Sequence, residues 1–314
     1  MADPTAQEVL MMALINRARL DPAGEAARNN IDLNEGLAAG TLTAASKQPL
    51  AWSSSLFSAA DAHSQAMIDA DYFAHTDPNT GSTPQSRANA AGYNGGVSEN
   101  IAWQGSTGAI DATATIVAEE NSLFTDLNVA GRGHRTNLMD ASYKQVGVGQ
   151  VMGLYTQNGT TYNASMVTQD FGIPGGGGQF LTGIAYTDTD SNAFYSVGEG
   201  RGGVTVAISG GANQATRTAG DYSLAIGASA QTITFSGGGL AAPVVVNTTI
   251  TGDRNALVNL VGQSVIETST SLTEVSGVSR IIGLGTIGLA LTGDAGGDSI
   301  TGGLGNDSLT GLAG

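Results

Sequence analysis

Phe171-Gly-Ile-Pro-Gly-Gly-Gly-Gly-Gln-Phe180 is where the chain changes its rules. Four successive glycines after Pro174 offer no side chain to pack and no preferred backbone state, so 174–180 reads as a linker. The two sides of it follow different periods. Upstream, the β-rich runs Val146–Leu154 and Tyr162–Phe171 lead into it. Further back, Ile110–Phe124 (with Asp111 near its start), Leu56–Ala70 and the steps Val9-Leu10, Ala13-Leu14 and Arg17 recur at helical spacing. Residues 1–173 therefore predict a domain mixing helix and sheet. Downstream, Leu181–Tyr186, Val204–Ile208, Tyr222–Ile226, Thr232–Phe235 and Val244–Thr249 are short strand-like runs punctuated by Gly and Asn, which predicts a small β-sandwich over 181–250. Residues 251–314 array Gly, Asp, Asn, Leu and Thr almost periodically and fit neither a helix nor an ordinary sandwich.

Charge narrows the partners. The formal net charge is −15, with two lysines, Lys47 and Lys144, beside ten arginines. Such a surface repels phosphate backbones and anionic headgroups and favours cations, so nucleic acid is not an expected partner. There is no cysteine, which excludes disulfides and thiolate metal sites. No apolar run approaches 18 residues, so no transmembrane segment is expected. Asp3 and Glu8 precede the short apolar stretch Val9–Ile15 and Arg17 follows it, the reverse of a secretory leader's polarity.

Two stretches point to calcium. Gly293-Asp-Ala-Gly-Gly-Asp298-Ser-Ile300-Thr301 is followed in register by Gly302-Gly-Leu-Gly-Asn-Asp307-Ser-Leu309-Thr310, and a third unit opens at Gly311 and runs to Gly314. Glycines allow tight turns that expose carbonyls, and one aspartate per turn supplies carboxylate oxygen to a hard cation, with Ile300 and Leu309 inward. This nine-residue period resembles the RTX (hemolysin-type) repeat, which implies the start of a parallel β-roll over 293–314 with Asp298 and Asp307 as calcium ligands. Asp294 departs from the pattern, standing where it has a second glycine. The competing reading is a disordered Gly/Asn-rich tail.

The second stretch is Asp188-Thr-Asp190-Ser-Asn192-Ala-Phe194-Tyr-Ser196-Val-Gly-Glu199. Asp188, Asp190, Asn192, Ser196 and Glu199 fall at positions 1, 3, 5, 9 and 12, and Phe194 offers a backbone carbonyl at 7, the ligand spacing of an EF-hand loop. Ala193 sits at position 6, where that loop takes glycine, and the flanks read as strands. The stretch from Gly183 to Leu224 resembles the calcium-binding B repeats of bacterial surface adhesins. A polar hairpin turn is the alternative.

The first 173 residues carry six short motifs in order: Asn16-Arg-Ala-Arg19, Pro49-Leu-Ala-Trp52, Tyr72-Phe-Ala-His75, Ser98-Glu99-Asn100-Ile101-Ala102, Gly133-His134-Arg135 and Val146-Gly-Val-Gly149. Together they resemble the CAP superfamily (cysteine-rich secretory, antigen 5 and pathogenesis-related proteins) in a cysteine-free bacterial form. The resemblance implies an α-β-α sandwich with a cleft holding two His and two Glu. By motif these are His75, Glu99 and His134, with the second Glu on the helix between them. Glu119 and Glu120 both qualify there, and Glu120 shares the apolar face of Ile116, Val117 and Leu123. Chemically, His75 and His134 can ligate zinc while carboxylates orient them. A hydrogen-bonded structural cluster is an equal reading, and His63 is expected to be a partly buried helix residue.

Two functions follow as expectations. One is an exported calcium-binding protein that displays a ligand-binding CAP-like domain, for a lipid, cell-wall fragment or protein, on a calcium-stabilised β stalk. The other is a metal-assisted hydrolase at the tetrad. Whether the cleft is catalytic stays open, and the absence of H-E-x-x-H and G-x-S-x-G leans against it. The RTX resemblance implies type I secretion, which needs no N-terminal leader, and a secreted or cell-surface location.

Overall fold

The computed structural model describes residues 3–250 and 252–313, so Met1, Ala2, Thr251 and Gly314, a residue of the third repeat unit, lie outside the described residues. Packing divides the chain into two units. The first runs through α1 (Ala6–Leu20), α2 (Pro22–Arg28), β1 (Ala51–Trp52), α3 (Ser54–Asp69), α4 (Pro84–Ala90), β2 (Gly95–Ser106), α5 (Ala112–Thr125), α6 (Gly133–Leu138), β3 (Gln145–Gln157) and β4 (Thr160–Pro174). Its sheet has the order β1-β3-β4-β2, with β2 at an edge.

Local chemistry sets the helix starts. Ser53 accepts the Leu56 N–H (3.4 Å), and Asp111 accepts the Ala114 N–H (2.8 Å), each satisfying an amide that a first turn leaves unpaired. Alternation along β4 then assigns the layers. Thr168 meets Ser64 of α3, while Ser165 and Gln169 meet Glu119 and Glu120 of α5. Helices therefore cover both faces. Gly147 and Gly149 of β3 lie under α3 so closely that a β-carbon would collide with backbone at Phe57 and Asp61, which is the packing reason for the Val146-Gly-Val-Gly149 motif.

The second unit also takes in Arg19–Asp21 and Ala44–Ala51. Within it, Asn255 donates from its side chain to the Pro49 carbonyl (2.8 Å). Its strands are β5 (Gln179–Tyr186), β6 (Val204–Ile208), β7 (Asn213–Ala215), β8 (Asp221–Ile226), β9 (Ala230–Gly237), β10 (Val244–Thr249), β11 (Ala256–Val261), β12 (Val265–Thr268), β13 (Leu272–Ser276), β14 (Arg280–Gly283), β15 (Ala290–Thr292), β16 (Ser299–Thr301) and β17 (Ser308–Thr310). They form two sheets, β17-β15-β13-β10-β9-β6-β7 and β16-β14-β12-β11-β5-β8.

The expected division at 250 is not a division of packing. β10 pairs with β13 and β5 with β11, so residues 181–250 and those beyond share both sheets and one apolar core, from Val204 and Phe235 to Ile281 and Leu291. From β12 onward, successive strands alternate between the sheets and pair in parallel with the next strand but one, as in Ile266↔Ile281↔Ile300 and Leu272↔Leu291↔Leu309. This winding begins at Val265, well before the nine-residue period does. Ile300 packs against the core as expected. Leu309 does not stay inward: it is 47% exposed, because its strand is the edge of its sheet.

Candidate functional site: a cleft at a sheet edge and an acidic loop

In the first unit, the edge position of β2 decides what meets. Neighbouring residues on a strand point to opposite faces, yet both are reachable where no further strand follows. Glu99 lies opposite Asp170 in the ladder, and Asn100 lies opposite Gln169. The loop after α3 brings His75 to Glu99, and the first turn of α6 brings His134 to Asn100. The result is a cleft of about 390 Å³ lined by His75, Ser98, Glu99, Asn100, Val129, Gly133, His134, Thr136, Asn137 and Asp140.

Each cleft histidine is held through Nδ1 by a carboxylate. His75 donates to Glu99 Oε1 (2.8 Å), and His134 donates to Asp126 Oδ1 (2.8 Å). This fixes the ring and leaves Nε2, for which no hydrogen bond to a described residue is seen, as the chemically available nitrogen. Asp126 ends α5 in the left-handed conformation (φ 50°), and its other oxygen accepts the backbone N–H of His134 (2.8 Å) and Arg135 (3.3 Å). It thereby caps α6, whose own N-cap residue Arg132 makes no side-chain cap bond. Burial raises the Asp126 carboxyl, but these bonds together outweigh burial and hold it below its ordinary range.

Behind His75 sits a buried charge cluster. Arg87 of α4 donates to Glu99 Oε2 (2.5 Å) and to the His75 carbonyl (3.0 Å). Burial, reinforced by the neighbouring Glu99 charge, pushes Asp170 well above the usual carboxylate range, so it stays protonated against Glu99. His63 is fully buried, with Nε2 3.9 Å from Glu99 and 3.1 Å from the Ala74 carbonyl, and burial pushes it down so that it remains neutral.

Of the four residues expected in the cleft, His75, Glu99 and His134 line it and Glu120 does not. Glu120 faces the sheet, as its helical phase requires, but it meets Gln169 Nε2 (2.5 Å) beneath Asn100 and is buried. Burial pushes it up to about 8. Glu119, the alternative, is buried too and meets Ser165 (3.0 Å). Phase says which side of a helix a residue takes, not where along the sheet it lands. The acid on the second histidine is Asp126, and a count back from Gly133-His134 does not find it because the intervening loop sets that pairing. Among the described residues, two groups bring three acidic or imidazole ligand atoms within 4.8 Å of one another, and neither lies in this cleft.

In the second unit, Asp188, Asp190 and Glu199 form one of those groups. Glu199 is 5% exposed and accepts the N–H of Thr189 (2.6 Å) and of Ser196 (2.9 Å). Asp190 accepts from the Ser196 hydroxyl and the Asn192 amide (both 2.9 Å), and Asp188 accepts the Asn192 N–H (3.1 Å). Phe194 donates its N–H to Asn192 Oδ1 (2.7 Å). Ala193 takes φ 57°, the left-handed turn that an EF-hand glycine makes. Among the repeat aspartates, Asp307 accepts the Leu289 N–H (2.7 Å). Asp298 accepts the Asp294 N–H (2.9 Å).

A family model, the cysteine-rich secretory protein family (CAP), matches residues 12–171, about half of the chain. The chain belongs to the CAP family. It does so without a single cysteine, so no disulfide contributes to its CAP domain. Among solved structures, it is similar to an extracellular protein containing a SCP domain from Bacillus anthracis str. Ames (22% identity, TM-score 0.33), covering 53% of this chain and 40% of that one. It is also similar to an outer surface protein from Borrelia burgdorferi (15% identity, TM-score 0.34), covering 55% of this chain and 96% of that one. The chain thus spans less than half the length of the Bacillus protein. Among curated proteins none matches the sequence. No helix among the described residues is long and apolar enough to cross a membrane.

Proposed function

We propose that this protein is an exported, calcium-binding member of the CAP family that presents a ligand-binding cleft on a calcium-stabilised β unit. The observation that carries it is the Asp188 loop. Three carboxylates converge there, one of them buried, with donors at the spacing of a calcium loop and Ala193 making the required left-handed turn. An anionic cluster of this density repels itself without a cation, and hard oxygen donors favour calcium. Asp298 and Asp307, in the nine-residue repeats, add a second calcium-binding region, read as the start of a β-roll. Calcium then acts as a compartment sensor, folding the β unit outside the cell because binding to the native state becomes folding free energy. Export by type I secretion is consistent with that scheme.

The cleft's lining bears on the ligand. Nine of its ten residues, all but Val129, are polar, charged or glycine, which disfavours a lipid and suits a polar cell-wall fragment or protein surface. Zinc fits the donor set only in part, through Nε2 of His75 and His134 with Glu99 and Asp126 as their orienting acids, an open site with two protein ligands. These His–carboxylate pairs support the hydrolase as a second reading. Zinc-dependent turnover of peptides or esters, lost in His75→Ala, would favour it.

Calorimetric calcium titration of the whole chain tests the first reading. The parent binds calcium, and at about 100 times its Kd gains about 2.7 kcal/mol of stability. Glu199→Gln keeps the volume and removes the buried charge, and is expected to abolish the loop's site. Equal affinity in variant and parent would rule out Glu199 as a ligand.

A further inference from the structure

The second acidic convergence among the described residues joins the first repeat to a residue outside the repeats. We propose that Glu274, Asp294 and Asp298 form a calcium site that ties the strand preceding the repeats to the first repeat turn. Glu274 belongs to β13, nineteen residues ahead of Gly293, and the nine-residue period does not include it.

Register puts the three together. β13 and β15 run parallel with Leu272 beside Leu291 and Thr273 beside Thr292, so the next step sets Glu274 level with Gly293, where the repeat loop begins. Asp294 follows at once, in place of the repeat's second glycine, and Asp298 closes the same loop. One carboxylate oxygen from each lies within 4.8 Å of the others.

The independent observation is the state of Glu274. It is 5% exposed, and its Oε1 accepts the Val278 N–H (3.0 Å), but Oε2 is buried and meets no N–H or O–H donor. After burial, the side chains that act on it are Asp298, which also touches it carboxyl to carboxyl, and Asp294, both acidic. A buried carboxylate oxygen aimed at two further carboxylates, with no cationic side chain among its influences, is the coordination that a divalent ion completes. The second repeat underlines the difference. Asp307 folds back on Gly302 as Asp298 does on Gly293, yet Asp307 bonds the Leu289 N–H, while Asp298 faces a glutamate from the preceding turn.

The site lies apart from the Asp188 loop and deepens the function proposed above, taking Asp298 from the repeat region named there and adding Glu274 and Asp294 to it. Its consequence is structural: the winding would be pinned at its first repeat turn, in addition to the short parallel strands that join neighbouring turns.

The test is calcium titration of the whole chain against a competing chelator, up to about 10 mM to cover extracellular affinities. The variants are Glu274→Gln, Asp294→Asn and, separately, Glu199→Gln. Glu274→Gln and Asp294→Asn are each expected to remove one bound equivalent or weaken one site at least tenfold, and the Glu199→Gln titration loses a different one. Because Glu274→Gln removes a buried acid packed against two others, its calcium-free form should melt no lower than the parent's. Asp294 is only partly buried, so its variant decides the matter if Glu274→Gln misfolds. An Asp294→Asn titration indistinguishable from the parent's would overturn the site whatever the other variants do. If the Asp188 loop binds no calcium, Glu199→Gln changes nothing while the other two still lose their equivalent, so the two failures are separable.

Discussion

Glu120→Gln should stabilise the protein at neutral pH, and increasingly so as the pH rises. In the folded chain the carboxyl is fully buried and titrates at about 8, against an ordinary value of 4.5. Between those values the folded state keeps a proton that the unfolded state has released, so folding binds a proton and stability falls as pH increases. Each pH unit of separation is worth about 1.36 kcal/mol, so the full shift of about 3.5 units costs about 5 kcal/mol above pH 8. From pH 5 to 7.5 the cost grows by about 3 kcal/mol. Glutamine keeps an oxygen for Gln169 and cannot ionise, although its extra N–H groups lack partners and subtract about 1–2 kcal/mol at every pH. The assay is urea denaturation of parent and variant at several pH values. Other buried acids, such as Glu119 and Asp170, titrate alike in both proteins and cancel in the difference. A difference that stays flat between pH 5 and 7.5, or a variant that grows less stable with pH, would mean that Glu120 is ionised in the fold, and would reopen its place among cleft ligands.

Two further substitutions probe the acids that hold the histidines. Asp126→Asn should cost about 1.5–3 kcal/mol at pH 7 through its charged hydrogen bonds to His134 and Arg135, read by chemical denaturation. The depressed Asp126 pKa contributes stability above the ordinary carboxylate value that is lost as pH falls through the folded value, so parent and variant should converge in acid; a gap independent of pH would refute the charge assignment. Arg87→Ala should cost about 3–5 kcal/mol by stranding Glu99 beside Asp170, and adding Glu99→Gln should restore part of the loss, whereas a purely additive double mutant would show that packing, not charge, was removed.

Much of the fold was legible wherever a signal was local. The helix at Leu56–Ala70 and that at Ile110–Phe124 announce themselves by period, the second also by Asp111 near its start, and the structure places them within two residues of that reading. The strand runs of the β unit were equally plain. What composition did not reveal was their partners. Residues 181–250 change texture near 250, yet β5 finds β11 and β10 finds β13 across that boundary, since pairing depends on long-range register. In the same way the parallel winding starts at Val265 without glycine-rich turns, so a search for a nine-residue period sees only its last turns.

The cleft follows the same rule at finer scale. Motifs found His75, Glu99 and His134 because each lies in a short, ordered string of residues. Asp126, Arg87 and Asp170 were missed because each reaches the site through tertiary structure: one by a left-handed helix end, one by a helix capped at Thr83, one by cross-strand register with Glu99. Their common feature is the edge of the sheet. An edge strand leaves Glu99 and Asn100 both accessible though they point to opposite faces, so a loop on one side and a helix on the other can each deliver a histidine to one strand. Each histidine then needs an acid from its own side, since a single carboxylate cannot reach round the strand to both rings. That is why the second acid is Asp126, beside α6, and not Glu120, which α5 holds against the buried centre of β4.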